Sequence, residues 1–383
     1  MTRLLLLVFI CILSTATMAK KPDFDKKDIA ALKLILVSNN NNLWGKVAKE
    51  NYEKPFTFDN PVWEELDWLS DIDGLTWKRT NETIKLTAIN WSEKEITGSL
   101  KFDGFDNLTT LSCYNNTLES LEVKDLLNLT QLSCFGNSLT SLQLKNLNRL
   151  KELYCFSNNL DTLTVDGLSS LEKLSCYKNH LRSLDCTGLS RLSYLDCSSN
   201  NLSSLKISGL DSLTYVDCSS NNLDSLDLEN LKSLTQLSCF SNKLTFLDIG
   251  KLPKLTYINC FFNSLTSLDV SNQPGLTYLS CWGNQIPFNK LPRLSIDEYH
   301  YEFQRIYISG VKAGRRLDLS DLIVRGETTI YRYGNVINYL PADGTFIVPV
   351  DIRRERKLEI QITNSAFPKF LDSNLPLVLI LTE

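Results

Sequence analysis

With 383 residues and a formal net charge of −4 at neutral pH, the chain is long enough for several domains and has no surplus of basic residues. Its 40 Lys and Arg are matched by 44 Asp and Glu, and no segment is basic enough to follow a phosphate backbone. We therefore expect neither a nucleic-acid partner nor an anionic membrane partner.

The chain begins with a segment typical of a secretory signal peptide. Met1-Thr2-Arg3 is a short basic start, an apolar run covers 4–13, and Thr17-Met18-Ala19 ends in small residues suited to cleavage. The apolar run is too short for a stable transmembrane helix. Residues 1–19 are therefore the predicted signal peptide. They predict an exported protein (periplasmic, cell-surface or secreted) that is not inserted in a membrane after cleavage.

Residues 20–107 are predicted to form an N-terminal cap with a degenerate first repeat. Asp28 precedes apolar residues at helical spacing and is the candidate N-cap of a helix. The apolar pattern of 84–107 indicates an imperfect first coil. Terminal turns of a solenoid have to cover an exposed core, so we favour a covering role over sugar binding for the tryptophans of this segment. These are Trp44, Trp63, Trp68, Trp77 and Trp91.

A strict repeat dominates the middle of the chain. Nine cysteines recur at a fixed step of 21 residues from Cys113 to Cys281, and an asparagine follows each of them three places later. The frame L-x-x-L-x-C-x-x-N-x-L-x-x-L-x-L-x-x-L-x-x holds without insertion or deletion. Such self-similarity is the signature of a solenoid, and it predicts nine stacked repeats over 108–296.

The frame predicts which side chains are buried. Alternation puts Leu111 and Cys113 on one face of a short strand, and Thr110, Ser112 and Tyr114 on the other. The repeated asparagine is expected to satisfy backbone groups where the chain turns out of the strand, because its amide both donates and accepts.

The cysteines themselves allow three interpretations: a zinc site, disulfides or small buried hydrophobes. Parallel neighbours about 4.8 Å apart suit neither the convergent ligands of zinc nor the crossed geometry of a disulfide. We therefore predict free, buried thiols, with Cys186 also in the core. No metal and no cofactor is expected.

The first eleven positions of the frame are the leucine-rich-repeat consensus, with Cys in place of an inner leucine. The chain resembles the cysteine-ladder, internalin-like leucine-rich-repeat proteins with 21-residue repeats, a type common among exported proteins of Bacteroidetes. The resemblance implies an α/β solenoid, in which a right-handed coil carries a parallel concave sheet behind an N-terminal helical cap.

Residues 297–383 lose the 21-residue period and alternate in short segments separated by turn signals. This pattern predicts a small all-β domain, an Ig-like sandwich. The predicted strands are Arg305–Ser309, Arg315–Leu319, Thr328–Tyr333, Thr345–Val350 and Lys357–Thr363.

Enzymatic chemistry has little support in the sequence. There are only two histidines, and no H-E-x-x-H, G-x-S-x-G or phosphate-binding glycine loop is present. Asp196 and Asp217 would stack about 4.8 Å apart, near the retaining-glycosidase separation of about 5–5.5 Å. A flat sheet face offers no enclosure to raise the pKa of one of them, so we predict that the protein is not an enzyme.

The outward face of the ladder is unusually aromatic. Of the 27 residues at the third, fifth and seventh repeat positions, 12 are aromatic. Exposed apolar patches mark interaction sites, although the rings could instead stack merely to stiffen the ladder. We favour a binding face for a protein or glycan ligand, as in adhesion or surface interaction. The predicted ligand-binding residues are Tyr114, Phe135, Tyr154, Phe156, Tyr177, Tyr194, Asp196, Tyr215, Asp217, Phe240, Tyr257, Phe261, Tyr278 and Trp282.

A second function class stays open. The solenoid could be a structural or assembly component of a cell-surface complex without a soluble ligand. If the face binds, its densest cluster of rings is the expected anchor, and no oligomeric state is predicted. That cluster consists of Phe240, Tyr257, Phe261, Tyr278 and Trp282.

Overall fold

The computed structural model describes residues 23–38, 43–47, 69, 72–80, 83–302, 304–309, 311–312, 315–322, 329–333, 336–339, 341, 345–347, 357–364 and 377–382. The predicted signal peptide, Trp63 and Trp68 lie outside these residues. The chain divides into two compact units, 1–150 and 151–383.

Within its described residues, the first unit combines one 13-residue helix with two sheets of mainly parallel strands. Strands β1, β3, β5 and β7 form one sheet, with β2 antiparallel to β3, and β4, β6 and β8 form the other. The bounds are β1 Asp23–Phe24, α1 Lys26–Ser38, α2 Leu43–Val47, β2 Leu75–Thr80, β3 Thr83–Asn90, β4 Thr97–Phe102, β5 Thr110–Ser112, β6 Thr117–Lys124, β7 Gln131–Ser133 and β8 Ser141–Lys145.

Helix α1 begins ahead of its predicted N-cap. Asp25 Oδ1 accepts the backbone N–H of Lys27 at 2.9 Å, so Asp25 caps the helix. Asp28 is fully buried, and its Oδ2 accepts the N–H of Leu86 at 2.8 Å. The prediction of Asp28 as N-cap is wrong because the helix starts with two exposed lysines before its apolar face begins.

The segment before the first full repeat is itself a coil of the stack. Strand β3 pairs in parallel with β5, with Ile89 opposite Leu111. Trp91 occupies the position that cysteine holds in the repeats and is completely buried. Its indole N–H donates to the carbonyl of Asp73 at 3.2 Å. Trp91 therefore fills the end of the core with a large ring, which is a covering role.

The second unit consists of a repeating coil followed by further β structure. Strands β9, β10, β12, β14, β15, β16, β17 and β18 form one parallel sheet, and β11 pairs with β13. The bounds are β9 Glu152–Tyr154, β10 Lys173–Ser175, β11 Ser183–Asp185, β12 Tyr194–Asp196, β13 Ser204–Lys206, β14 Tyr215–Asp217, β15 Gln236–Ser238, β16 Tyr257–Asn259, β17 Tyr278–Ser280 and β18 Glu298–His300.

The core of the coil is a ladder of leucines and cysteines. Leu195 pairs in register with Val216, and both side chains are completely buried. All ten described cysteines, including Cys186, are buried thiols that form no disulfide among the described residues. The predicted buried cysteine ladder is therefore confirmed.

The repeated asparagines, which we call the asparagine ladder, provide hydrogen bonds to backbone groups at the turns that follow the strands. The side-chain amide of Asn200 donates to the carbonyl oxygens of Cys197 and Cys176 at 3.1 Å, while its Oδ1 accepts the N–H of Leu181 at 3.0 Å. Equivalent bonds recur within each unit, as from Asn137 to Cys113 and from Asn221 to Cys197, so these asparagines link one repeat to the preceding one.

The repeat sheet extends one strand past the predicted end of the repeats. Strand β18 pairs with β17 in a register that places Tyr301 opposite Cys281 and Gln304 opposite Asn284, one residue short of the 21-residue period. Gln304 is completely buried, donates to the carbonyls of Cys281 and Tyr301 at 2.9 Å, and accepts from Ile286. The glutamine thus performs the asparagine's role in a degenerate last coil.

The described residues after β18 form two small sheets. One has five strands in the order β19-β25-β24-β21-β22, in which β19 and β25 are parallel, and β20 pairs with β23 in the other. The Ig-like sandwich stays a prediction. The bounds are β19 Arg305–Ile308, β20 Arg316–Asp318, β21 Thr329–Tyr333, β22 Val336–Tyr339, β23 Thr345–Ile347, β24 Lys357–Asn364 and β25 Leu377–Thr382, with 3-10 turns at Phe288–Lys290 and Ser320–Leu322.

Candidate functional site

The outward side of the short strands carries the predicted site. In each strand the residues beside the buried leucine, together with the residue after the buried cysteine, point away from the core. We call these outward residues of 151–282 the aromatic face. In the first unit, Tyr114 and Phe135 lie on the equivalent side and stack at 4.5 Å between ring centroids.

The rings of the aromatic face form four stacks. Because neighbouring repeats are in register at one strand spacing, equivalent rings lie almost parallel. The centroid distances are 4.4 Å for Phe156–Tyr177, 4.6 Å for Tyr194–Tyr215, 4.3 Å for Tyr257–Tyr278, 4.4 Å for Phe240–Phe261 and 4.9 Å for Phe261–Trp282.

Every one of these rings is half-buried, neither sealed in the core nor fully in solvent. The two C-terminal stacks lie side by side and bring the predicted anchor cluster together on neighbouring strands. The stacks hold the rings in fixed positions while leaving part of each ring accessible. A surface of this kind is preorganised for contact.

A polar patch interrupts the rings. Asp196 pairs with Asp217 on adjacent strands, and Oδ1 of each accepts the backbone N–H and the hydroxyl of the serine two residues later, Ser198 and Ser219. Burial raises the pKa of Asp196, and the Asp217 carboxylate raises it further. The structure shows no ion pair to either carboxylate among the residues it describes.

Tyr154 lies at the edge of the aromatic face beside a charged pair. Its hydroxyl donates to Glu152 at 3.2 Å, and Lys173 forms an ion pair with the same carboxylate at 2.9 Å. Burial is the main cause that raises the pKa of Tyr154. The one lysine in the strand positions of this face is therefore already engaged by an acid.

Phe262 belongs to the site although the alternation did not select it. The residue before each ladder asparagine has a positive φ, and Phe262 has φ +50° where other repeats carry Asn, Gly, Ser or Lys. A bulky residue is rare in that region. Its ring is 44% exposed and lies 4.4 Å from Trp282 and 5.4 Å from Phe261. The sequence signal was its exceptional identity in an otherwise small or polar column.

Gly283 makes room for that ring. It occupies the equivalent position one repeat later, with φ +67°, and a Cβ there would lie 2.5 Å from Phe262 Cδ1. Gly283 therefore meets two demands, a left-handed backbone and the approach of an aromatic ring. The backbone strain at Phe262 presents an apolar side chain outward, which is the kind of outlier that indicates function.

The buried thiols offer no reactive centre. Burial raises the pKa of Cys155 and of Cys281 to about 12, so neither is a thiolate at neutral pH. Among the described residues, no group of three or more His, Cys, Asp and Glu side chains could hold a metal ion. No helix within the described ranges is long and apolar enough to cross a membrane.

No protein-family model and no curated protein matches the chain. Among solved structures, a leucine-rich-repeat protein of Leptospira interrogans is 28% identical with a TM-score of 0.44, over 50% of this chain and 58% of that one. The functional domain of InlJ from Listeria monocytogenes, which includes a cysteine ladder, is 21% identical with a TM-score of 0.31, over 78% and 90%.

A third solved structure supports the fold. The leucine-rich-repeat ectodomain of the plant membrane receptor kinase GASSHO1/SCHENGEN3 from Arabidopsis thaliana is 20% identical with a TM-score of 0.54. It covers 73% of this chain, which matches 36% of that one. Together with the 21-residue period and the buried cysteines, this likeness shows the leucine-rich-repeat solenoid fold, with a cysteine ladder in its core.

Proposed function

We propose that this chain is an exported binding protein whose aromatic face contacts a protein partner, in adhesion or another surface interaction. The half-exposed ring stacks are the observation that carries the proposal. Aromatic side chains with few charges are the composition of interface centres. Rings already fixed by stacking lose little conformational entropy when a partner covers them.

Phe261, Phe262 and Trp282 are the proposed anchor of that contact. Each of the three rings contacts the other two, and Phe262 is the most exposed. Binding energy concentrates in such clusters, at about 2 kcal/mol or more per hot-spot residue. The Asp196–Asp217 patch would orient the partner through hydrogen bonds.

A random-peptide display library, selected on the purified chain, tests the proposal. The enriched peptides should lose about 2 kcal/mol of binding for each ring in the double variant Phe261→Ala and Trp282→Ala. Phe246→Ala is the matched control, because Phe246 is 65% exposed but lies outside the strand positions. Unchanged binding by a folded double variant would refute the proposed face.

A glycan array probed with the same proteins separates the two ligand classes. If the native chain binds a glycan, the double variant does not, and no peptide is enriched, the ligand is a sugar rather than a protein. If the native chain and the double variant bind the glycan equally, the binding site lies outside the aromatic face.

Export is part of the proposal and rests on the apolar start of the sequence. Expression of the full chain in a Gram-negative host, followed by N-terminal sequencing of the exported product, should give a protein that begins at Lys20. A product that retains residues 1–19 in the cytoplasm would contradict it.

The alternative, an assembly component without a soluble ligand, predicts self-association through the same rings. Light scattering of the purified chain and of the double variant distinguishes the two. An oligomer that dissociates in the double variant would favour assembly, whereas two monomers favour a binding protein.

A further inference from the structure

A gap in one tyrosine column forms a slot on the aromatic face. In strands β14, β15 and β16 the register is Tyr215, Gln236, Tyr257, so the two tyrosines lie two strands apart. At two strand spacings their rings are separated by about 9.6 Å. We call the space above Gln236 the tyrosine slot. It is a hollow of about 240 Å³, and the Phe240 ring closes one side.

The walls of the slot are two ring faces. Tyr215 stacks on Tyr194 with planes 6° apart, and Tyr257 stacks on Tyr278 with planes 11° apart. Each of the two rings therefore has one face covered by its stacking partner and its other face turned toward the slot. A group midway between them would lie within about 6 Å of both centroids, which is the range of cation–π attraction.

The floor of the slot is an uncompensated negative patch. Asp217 lies in it, Asp196 adjoins it on the next strand, and the described residues provide neither with an ion pair. Lys173, the lysine nearest along the strand columns, is held by Glu152 at 2.9 Å. Burial and then the Asp217 and Asp196 carboxylates raise the pKa of Tyr215, which reflects the same negative field.

An orphaned acceptor lies in the same hollow. Asn259 is 7% exposed, and its Oδ1 has no hydrogen-bond partner among the described residues. A buried acceptor without a donor is unfavourable, because it has lost its hydrogen bonds to water without gaining a replacement. Asp217 likewise has one oxygen, Oδ2, for which the described residues show no hydrogen bond, whereas its Oδ1 accepts from Ser219.

We propose that the tyrosine slot takes one arginine or lysine side chain of the protein partner. The cation would lie between the faces of Tyr215 and Tyr257, and its N–H groups would reach the Asp217 carboxylate and Asn259 Oδ1. A planar guanidinium suits the slot better than an ammonium because it stacks on rings and donates in several directions at once. Elsewhere in the same unit a cation already lies over a single tyrosine ring, with Lys178 Nζ 5.9 Å from the Tyr177 centroid. The inference rests on the proposed function, since it names the chemistry that the aromatic face recognises.

The test uses the purified full chain with tyrosine ring protons followed by NMR. Nα-acetyl-arginine methylamide should shift the Tyr215 and Tyr257 signals, while the citrulline analogue, which has the same shape without charge, should bind at least about tenfold more weakly. Asp217→Asn should weaken binding of the arginine probe at least about fivefold. Asn at this position still accepts the hydrogen bonds from Ser219 but carries no charge. Asp211→Asn, an exposed site outside the strands with the same charge change, should have no effect.

Two results would overturn the inference: equal affinity for the arginine and citrulline probes, or an Asp217→Asn variant that binds arginine like the native chain. The peptide selection distinguishes this failure from failure of the proposed function. Enriched peptides that bind the aromatic face but contain no Lys or Arg would refute cation binding in the tyrosine slot. They would still support the aromatic face as the binding surface. Peptides enriched in Lys or Arg whose binding falls in Asp217→Asn would support both.

Discussion

At the residue scale, the buried cysteine column tolerates few substitutions, because each cysteine side chain is enclosed by the solenoid core. Cys197 is completely buried, with Leu195 and other repeats' cysteines around it. Cys197→Ser should lower the free energy of unfolding by about 1–3 kcal/mol, because the hydroxyl is buried without an assured partner. Ser199→Ala is the control, since Ser199 is exposed. Denaturant melts measure both, and equal losses would contradict the buried position of the thiol column.

Phe262 and Gly283 form a coupled pair whose energies can be separated. Gly283→Ala should destabilise more than Gly209→Ala, because both have positive φ but only a Cβ at 283 meets a ring, Phe262. The difference should disappear in the Phe262→Gly background, where only the backbone cost of about 1 kcal/mol remains. A double-mutant cycle in urea measures this coupling. Additive effects would mean that the two residues do not meet.

At the scale of single elements, the first helix carries a titrating group in its buried face. Asp28 on α1 has its pKa raised to about 6, mainly by burial and against the bond from Leu86 N–H. The folded chain therefore keeps a proton that the unfolded chain releases, so this contribution to stability is present below about pH 4 and is lost as the pH rises through about 6.

Asp28→Asn should remove this dependence while keeping an acceptor for Leu86. We expect the variant to be more stable than the native chain by about 1–3 kcal/mol at pH 7.5 and to lose that advantage near pH 4. Asp161→Asn, which removes an exposed carboxylate, is the control. Chemical denaturation across this pH range is the measurement, and a constant difference between variant and native chain would contradict the raised pKa.

The same elements show which features the sequence could predict. The fixed period determines the cysteine and asparagine ladders, because each residue repeats the environment of the one a period earlier. The ends break that equivalence. Trp91 and Gln304 take the cysteine and asparagine roles with different side chains, and Asp25 caps a helix whose apolar pattern begins later. Tertiary contacts decide these positions, and a period of 21 does not encode them.

Part of the candidate site could likewise be predicted from the sequence, and part could not. Alternation placed the ring columns on the outward side, which the burial pattern matches. The tyrosine slot could not be predicted, because it depends on the absence of a ring at Gln236 and on an acceptor buried at Asn259, seen only when three strands are set side by side. Phe262 was missed because its position depends on a backbone φ rather than on strand alternation.

At the scale of the whole molecule, the repeats behave as interchangeable layers. Each short strand pairs with residues one period away, as Lys173 does with Tyr194, so the stabilising contacts of a repeat are confined to its neighbours. Stability is then a sum over repeats and the interfaces between them. The aromatic face also depends only on neighbouring repeats. A ring stack forms where adjacent repeats both carry an aromatic residue at the same position, and a slot forms where one repeat lacks it.

This one-dimensional organisation predicts the effect of removing a layer. Deleting 174–194 removes one full 21-residue period and joins Lys173 to Leu195, which preserves every inward and outward position. The shortened chain should still fold in one cooperative transition, with a lower free energy of unfolding and unreactive ladder thiols, because only one repeat and one interface are lost. Deleting 174–193, one residue fewer, is the matched control. It leaves an extra residue inside a strand, and a one-residue slip turns buried side chains outward. We expect this control to expose thiols to a water-soluble reagent and to melt at a lower denaturant concentration. Equal stability of the two deletions would show that the coil tolerates register errors and that its layers are not set by the 21-residue period.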